Sequence, residues 1–319
     1  MLVLDEAAVR RYLHLEELIP AMERALADLS TGKVVQPVRV VLPVAEHGGF
    51  FALMPAYLGK RSAYPHPGPL PQGRGEEGRA LGVKLVTLYP DNKGVPTHHA
   101  VIQLFKPETG EPLVMMDGRL ITEERTAAVS AVATRLLARQ DASVLALIGS
   151  GVQARSHLKA LRLVRDFTEV RVWSPRHAAE FAQEFGVRAA ASAEEAVRGA
   201  DVVVTATTSQ TPVLKGEWLS PGVHINAVGA PRPDWRELDG EVLRRSRLYV
   251  DSREAALAES GDVRAAGEIA GELGEVIAGL KPGRGAPEEI TLFKSLGQAV
   301  EDVVTADLVY RKVLAAGGS

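Results

Sequence analysis

A strand–turn–helix signature in the middle of the chain constrains its fold more than any other feature. Five apolar residues, Val144-Leu145-Ala146-Leu147-Ile148, run into Gly149-Ser150-Gly151-Val152-Gln153-Ala154, and helix-spaced sequence continues over 153–164. This is the context that a dinucleotide-binding turn of the G-x-G-x-x-G/A type requires. Gly149 permits the tight turn, Gly151 lets the backbone approach a pyrophosphate, and Ala154 is the small residue where helix meets strand. Free N–H groups and the dipole at the helix start favour an anion. Small residues at such a turn also occur for packing alone, so the sequence that follows carries much of the weight.

That sequence alternates strand and helix. Val170-Arg171-Val172-Trp173 precedes a helix over 178–185, a helix over 193–198 leads to Asp201-Val202-Val203-Val204-Thr205, and strands recur at 223–227 and 247–250. The alternation predicts a parallel sheet with crossover helices. In NAD enzymes an acid ends the second strand and accepts bonds from the ribose 2′-OH. Here that end reads Trp173-Ser174-Pro175-Arg176-His177. Without a carboxylate, and with Ser174 and Arg176 available to a 2′-phosphate, the expectation is NADP(H) preferred with NAD(H) possible. A helix-capping role for Arg176 is the alternative.

The N-terminal part has another rhythm. Helix-spaced apolar residues run from Ala7 to Leu29, with Gly32 as a stop, and β-like runs follow at 38–42, 49–54, 82–88, 100–105 and 113–116. Successive strands with turns between them predict a largely antiparallel sheet. Residues 61–79 hold four prolines and four glycines and little that is apolar. Such a stretch cannot offset its ordering entropy by burial and is expected to be a mobile, tolerated surface insertion, with a proline-rich docking peptide as the alternative. A helix is expected over 122–139, opened by a capping arrangement at Thr122 with Glu123 and Glu124 in its first turn. A last helix, over 295–314, is expected to return to the first domain.

Composition narrows the class. A net charge of −3 gives no basic surplus for nucleic acid or a membrane surface. No window approaches the ~18 apolar residues that span a bilayer. The first residues lack a basic-then-apolar leader pattern. With no cysteine, thiolate metal sites, disulfides and cysteine nucleophiles are excluded. His98 and His99 would point to opposite faces of a strand, without a third ligand at metal spacing, so a structural or substrate-rim role is expected and no metal. Neither a Ser-His-Asp arrangement nor a phosphate-binding P-loop is present. A cytoplasmic enzyme fits this set.

Several separated stretches resemble the ornithine cyclodeaminase/mu-crystallin family. They are Gly82-Val83-Lys84-Leu85-Val86-Thr87, residues 121–131 around Glu124-Arg125-Thr126-Ala127-Ala128, the Gly149 turn, and Ile225-Asn226-Ala227-Val228-Gly229. Residues 230–239 with Pro231 and Asp234, Tyr249-Val250-Asp251-Ser252, Glu259-Ser260-Gly261-Asp262, residues 273–277, and Phe293-Lys294-Ser295-Leu296-Gly297 resemble its mu-crystallin members most. The resemblance spans nearly the whole chain outside 61–79.

It implies an α/β fold: a Rossmann-type parallel-sheet domain (140–294) plus a discontinuous α+β substrate-binding and dimerisation domain (1–139, joined by the 295–319 helix), and hence a homodimer. It also implies that three basic residues, Arg39, Lys84 and Arg125, hold a substrate α-carboxylate beside the nicotinamide. Cofactor contacts are implied at Thr205 and Thr207, and further ones at Thr126, Val228, Gly229 and Ser295. Read alone, Lys84 interrupts an apolar strand, where a buried lysine is costly unless paired with an anion, and Arg125 can grip a carboxylate with two prongs. A solvated edge charge or a structural ion pair is the alternative for each. Lys84 is also the expected proton donor, because a desolvated ammonium near other cations has a lowered pKa.

One departure from the cyclodeaminase pattern redirects the chemistry. Those members carry an aspartate shortly after the Val-Gly of the Asn-Ala-Val-Gly strand; here Pro231 stands there, and Asp234 is offset from the motif and reads as a turn or cap residue. Proline accepts no proton, which puts ammonia-releasing ring closure of ornithine in doubt. Mu-crystallin-like members imply hydride transfer to the C=N carbon of a cyclic imino acid, of the pyrroline- or piperideine-2-carboxylate type. An ornithine cyclodeaminase, an alanine-type amino-acid dehydrogenase and a non-catalytic NADP-binding protein remain the alternatives.

Overall fold

A computed structural model describes residues 1–59 and 79–317. In chain order the first part contains β1 (Leu2–Leu4), α1 (Glu6–Tyr12), α2 (Leu15–Ser30), β2 (Val34–Val35), β3 (Val40–Val44), β4 (Gly49–Leu58), β5 (Ala80–Leu88), β6 (His98–Phe105), β7 (Pro112–Asp117) and α3 (Arg119–Leu137). The middle contains β8 (Val144–Ile148), α4 (Val152–Arg162), β9 (Glu169–Trp173), α5 (Ala178–Phe185), β10 (Arg188–Ala189), α6 (Ala193–Val197), β11 (Val202–Thr205) and β12 (His224–Ala227). The remainder is α7 (Gly240–Arg245), β13 (Ser246–Val250), α8 (Arg253–Glu259), α9 (Gly261–Ala266), β14 (Gly271–Glu272), α10 (Leu273–Ile277), β15 (Ile290–Lys294) and α11 (Ala299–Ala315).

Two compact units divide these elements: Met1–His14, Arg24–Thr122 and Gln298–Ser319 form one, Leu15–Glu23 and Glu123–Gly297 the other. In the first, and among the described residues, a seven-stranded sheet runs β1-β7-β6-β5-β4-β2, with β3 also on β4. The β4–β5–β6–β7 ladders are antiparallel, as expected. Alternation puts Met54, Ala56 and Leu58, then Ala80, Gly82 and Lys84, then Ile102 and Leu104, on one buried face. Helix α11 packs on that face against β4, β5 and β6. Gly82 makes the close approach possible. A Cβ there would lie 2.7 Å from Leu104 Cδ2 and 3.2 Å from Val303 Cγ2 of the helix.

The second unit holds an all-parallel sheet of order β10-β9-β8-β11-β12-β15-β13-β14. Every residue of β11, β12 and β15 is buried, the pattern of strands covered on both faces. From β8 the chain steps outward through β9 to β10, then returns to β11 on the other side. The sheet therefore has its topological switch point between β8 and β11, and this is a Rossmann-type fold.

Two local expectations shift. Helix α3 starts at Arg119 rather than 122, because the Asp117 carboxylate accepts the N–H groups of Arg119 and Leu120 at 3.1 Å and so supplies the cap. Thr122 lies inside the helix and turns its hydroxyl back to the Gly118 carbonyl at 2.7 Å. The last helix starts at Ala299 rather than 295. Residues 290–294 are drawn into the sheet centre as β15, and the Leu296 and Gly297 N–H groups donate to the Asp251 carboxylate at 2.7 Å. The insertion expected at 61–79 lies outside the described residues apart from Arg79, which pairs with Glu108 at 3.2 Å. Among the described residues no helix is long and apolar enough to cross a membrane.

Candidate active site

The Gly149 turn occupies the carboxyl end of β8, at the switch point. Gly149 has φ +112° and donates its N–H to the Trp173 carbonyl at 2.8 Å. A Cβ added at Gly149 would overlap the Ala206 carbonyl oxygen just past β11, so glycine is required both for conformation and for space. Ser150 and Ser174 share a hydroxyl–hydroxyl bond of 2.8 Å that ties the turn to the end of the second strand. Ser174 Oγ also accepts from the His177 N–H at 3.1 Å, which organises the turn carrying the exposed Arg176.

A dinucleotide fits these residues. Gly151 is the N-cap of α4 and gives the first N–H groups of the helix no side-chain acceptor, while the space where a Cβ would stand is open to 4 Å. That leaves a cradle with unsatisfied donors for a pyrophosphate. Val152 is exposed beside it, Ala154 is buried against the sheet, and the buried Gln153 Oε1 has no partner among the described residues. At the end of β15, Ser295 donates its N–H to the Ala227 carbonyl, and its buried Oγ likewise lacks a partner among the described residues.

Thr205 and Thr207 are committed to a residue that sequence reasoning missed. Thr205 Oγ1 donates to Glu237 Oε2 at 2.9 Å, and Thr207 donates both its N–H (2.8 Å) and its hydroxyl (2.5 Å) to Oε1. Burial pushes the Glu237 carboxyl up from its usual range, against the nearby Lys294 ammonium and the threonine bonds, which pull it down. Lys294 donates to the Gly229 carbonyl and pairs with Asp262 at 3.2 Å. Asp262 in turn accepts the Glu237 and Leu238 N–H groups. Gly229 abuts the Glu237 carboxylate with no room for a Cβ, and Val228 and Gly229 donate their N–H groups to the Thr205 carbonyl. The available signal was a charge at the end of an apolar run, Lys294 after Ile290-Thr291-Leu292-Phe293. Asp234 is exposed and lies 3.7 Å from Arg232. Pro231 follows Ala230, a non-glycine residue at φ +53°.

The basic residues have specific surroundings within their own units. Arg125 and Thr126 are buried on α3. The Arg125 guanidinium lies against Gly297, whose φ of +79° and missing Cβ leave it the room. In the first unit Lys84 is 2% exposed, and its Nζ lies 2.6 Å from a carboxylate oxygen of the wholly buried Asp302 on α11. This is the anion pairing that a buried lysine requires, and it places a carboxylate, beside any cations, at the ammonium. Arg39 is half-buried in the bend just ahead of β3 rather than within the strand.

A Rossmann switch point, an open phosphate cradle and a buried lysine on a separate sheet define a dinucleotide-dependent α/β protein. The ornithine cyclodeaminase/mu-crystallin family model matches residues 1–66 and 69–317, and the chain belongs to that family. It is 50% identical over 303 residues to the ketimine reductase mu-crystallin of Mus musculus, covering 92% of this chain and 91% of that protein. Among solved structures, the Δ1-pyrroline-2-carboxylate reductase of Thermococcus litoralis, in complex with NADH and L-proline, superposes with a TM-score of 0.90 at 41% identity, over 99% of this chain and 98% of that one. An archaeal alanine dehydrogenase dimer with bound NAD gives 0.86 at 36% identity, over 99% and 97%.

Proposed function

We propose that the protein is an NAD(P)H-dependent reductase of cyclic imino acids, acting on a C=N bond next to a carboxylate. The likeness to the Thermococcus enzyme with NADH and L-proline carries the reading, because proline is what hydride addition to C2 of Δ1-pyrroline-2-carboxylate produces. The bound nicotinamide supplies a hydride. The chain's own residues do the rest. The Gly149 turn and the start of α4 hold the pyrophosphate, Arg125 and Arg39 grip the substrate carboxylate, and Lys84 binds beside it and gives a proton to the ring nitrogen as the C–H bond forms. Protonation at nitrogen makes the C=N carbon strongly electrophilic, so a single proton donor serves, and this needs less acid–base machinery than oxidation of an unactivated amine. Pro231 offers no acceptor for a substrate amine, which disfavours ammonia-releasing ring closure.

Within this reading the cofactor is NADP(H) in preference to NAD(H). Ser174 and Arg176 stand at the second-strand end in place of an acid, Ser174 bonded to Ser150 of the Gly149 turn and Arg176 exposed nearby in sequence, a donor pair that suits a 2′-phosphate. The working form is a homodimer. Val40, Val41 and Leu42 of β3 are 58%, 45% and 58% exposed, a run of apolar surface that a second copy would cover.

The test is NAD(P)H oxidation with Δ1-pyrroline-2-carboxylate and Δ1-piperideine-2-carboxylate, beside pyruvate with ammonia and ornithine with NAD. Turnover of a cyclic imine at least tenfold faster than of pyruvate with ammonia is expected. Faster alanine formation, or ammonia release from ornithine, would replace the reading with a dehydrogenase or a cyclodeaminase. Cofactor binding without turnover of any member would leave a binding protein.

A further inference from the structure

The assignment of the acid role to Lys84 leaves open what holds a four-carbon ammonium in one place. A lysine side chain carries about 2 kcal/mol of rotamer entropy, and a proton donor misplaced by an ångström loses much of its effect. We propose that Asp302 is the positioning residue for Lys84, and that Gly82 sets the distance between them.

Three observations support this. Lys84 and Asp302 are both buried, at 2% and 0% side-chain exposure, and 2.6 Å apart. A buried ion pair rarely adds stability over an apolar pair of the same volume, so stability alone gives no reason for charges at these two positions. The cross-strand neighbours of Lys84 on the buried face, Met54 and Ile102, are apolar. Finally, Gly82 and Lys84 sit two residues apart on the same face of β5, and a Cβ at Gly82 would lie 3.2 Å from Val303 Cγ2, on the residue after Asp302. Glycine at 82 therefore lets the helix dock, and the docked helix delivers Asp302 to the ammonium. The carboxylate 2.6 Å away then fixes where the ammonium charge of Lys84 sits.

The inference rests on the imine-reductase reading and is tested separately from it. Wild type, Asp302→Asn, Lys84→Gln and the double variant are compared for kcat/KM on Δ1-pyrroline-2-carboxylate and for NADH affinity by fluorescence. Asp302→Asn keeps the shape and removes the charge. It is expected to lower kcat/KM at least 30-fold while the NADH Kd stays within twofold, and to change the residual rate of Lys84→Gln by less than threefold. Gly82→Ala, whose added methyl would crowd Leu104 and the Gln103 carbonyl of β6 as well as Val303 of α11 while leaving both charges in place, should show the same dependence on Lys84 and replaces Asp302→Asn if that variant does not fold. Wild-type kcat/KM in Asp302→Asn, or equal losses with and without Lys84, would overturn the positioning role. A wild-type enzyme inert towards every cyclic imine would overturn the function, and the role with it; a Lys84→Gln enzyme as fast as wild type would remove Lys84, and hence Asp302, from the chemistry.

Discussion

Gly149 lies directly against the carbonyl of Ala206, so that the turn leaving β8 and the segment leaving β11 touch backbone to backbone. The contact closes the floor of the switch point and aims the start of α4. Gly149→Ala must overcome both a φ of +112° and overlap with a backbone atom that cannot swing aside. Strain at such a position costs on the order of 1–3 kcal/mol. NADPH and NADH affinity should fall at least tenfold, with a lower melting temperature, as read by nucleotide fluorescence and scanning fluorimetry. Unchanged affinity for both would mean that the turn does not hold the pyrophosphate.

The cofactor preference has its own variant. Ser174 accepts from the His177 N–H and bonds Ser150, and a carboxylate in its place could accept from the same groups. Ser174→Asp would add the acceptor that a ribose 2′-OH uses and repel a 2′-phosphate. The KM for NADPH should rise at least tenfold while that for NADH stays level or falls. If wild type already binds NADH more tightly than NADPH, the preference is the reverse of the one proposed.

The contrast between β8 and β15 shows what local sequence conveys. Val144–Ile148 is uniformly apolar and ends in glycine, so both strand and turn are legible. Ile290–Lys294 occupies an equally central place between β12 and β13, yet Thr291 and Lys294 interrupt its apolar run. Their burial makes sense only once partners are known: the Thr291 hydroxyl donates to the Leu137 carbonyl at 2.9 Å, and Lys294 meets Gly229 and Asp262. The site divides in the same way. Lys84 is visible as a cation inside an apolar strand, whereas Asp302 lies in a helix whose docking no local pattern specifies. Thr205 and Thr207 are visible as hydroxyls at a strand end, but the Glu237 carboxylate that accepts their hydrogen bonds is brought in by the return of a distant segment. Periodicity reports which residues are buried; it does not report which buried polar groups meet.

Glu237 should be expensive to remove. It is wholly buried and accepts three bonds from Thr205 and Thr207. Truncation strands those donors and leaves Lys294 with less negative charge around it. Glu237→Ala is expected to cost about 3–5 kcal/mol in denaturant unfolding and to weaken NADH binding, because the Thr207 segment loses its anchor. Glu237→Gln, which keeps an acceptor and the volume, should lose less than half as much. A loss below about 1 kcal/mol for the alanine variant would show that the network contributes little to the fold.

Acid should act on the nucleotide-binding unit through His157. Its ring is buried on α4, with Nδ1–H donated to the Gln153 carbonyl at 2.7 Å and Nε2 accepting from the Ser130 hydroxyl at 2.9 Å. Burial lowers its pKa from 6.5 to about 4. Above pH 6.5 the imidazole is neutral in both the folded and the unfolded chain, and its contribution to stability is complete. Between 6.5 and 4 the unfolded chain takes up a proton that the folded one refuses, so stability falls with pH, by on the order of 3 kcal/mol in all. His224, lowered to about 3 by burial and by Arg284, acts in the same direction, whereas Glu237, raised by burial, acts in the opposite one. The contribution of His157 is therefore read as a difference. His157→Gln, which keeps a donor and an acceptor without titrating here, should lose melting temperature less steeply than wild type between pH 6.5 and 4. Parallel slopes for the two proteins would mean that His157 takes up its proton in the folded state as readily as in the unfolded one.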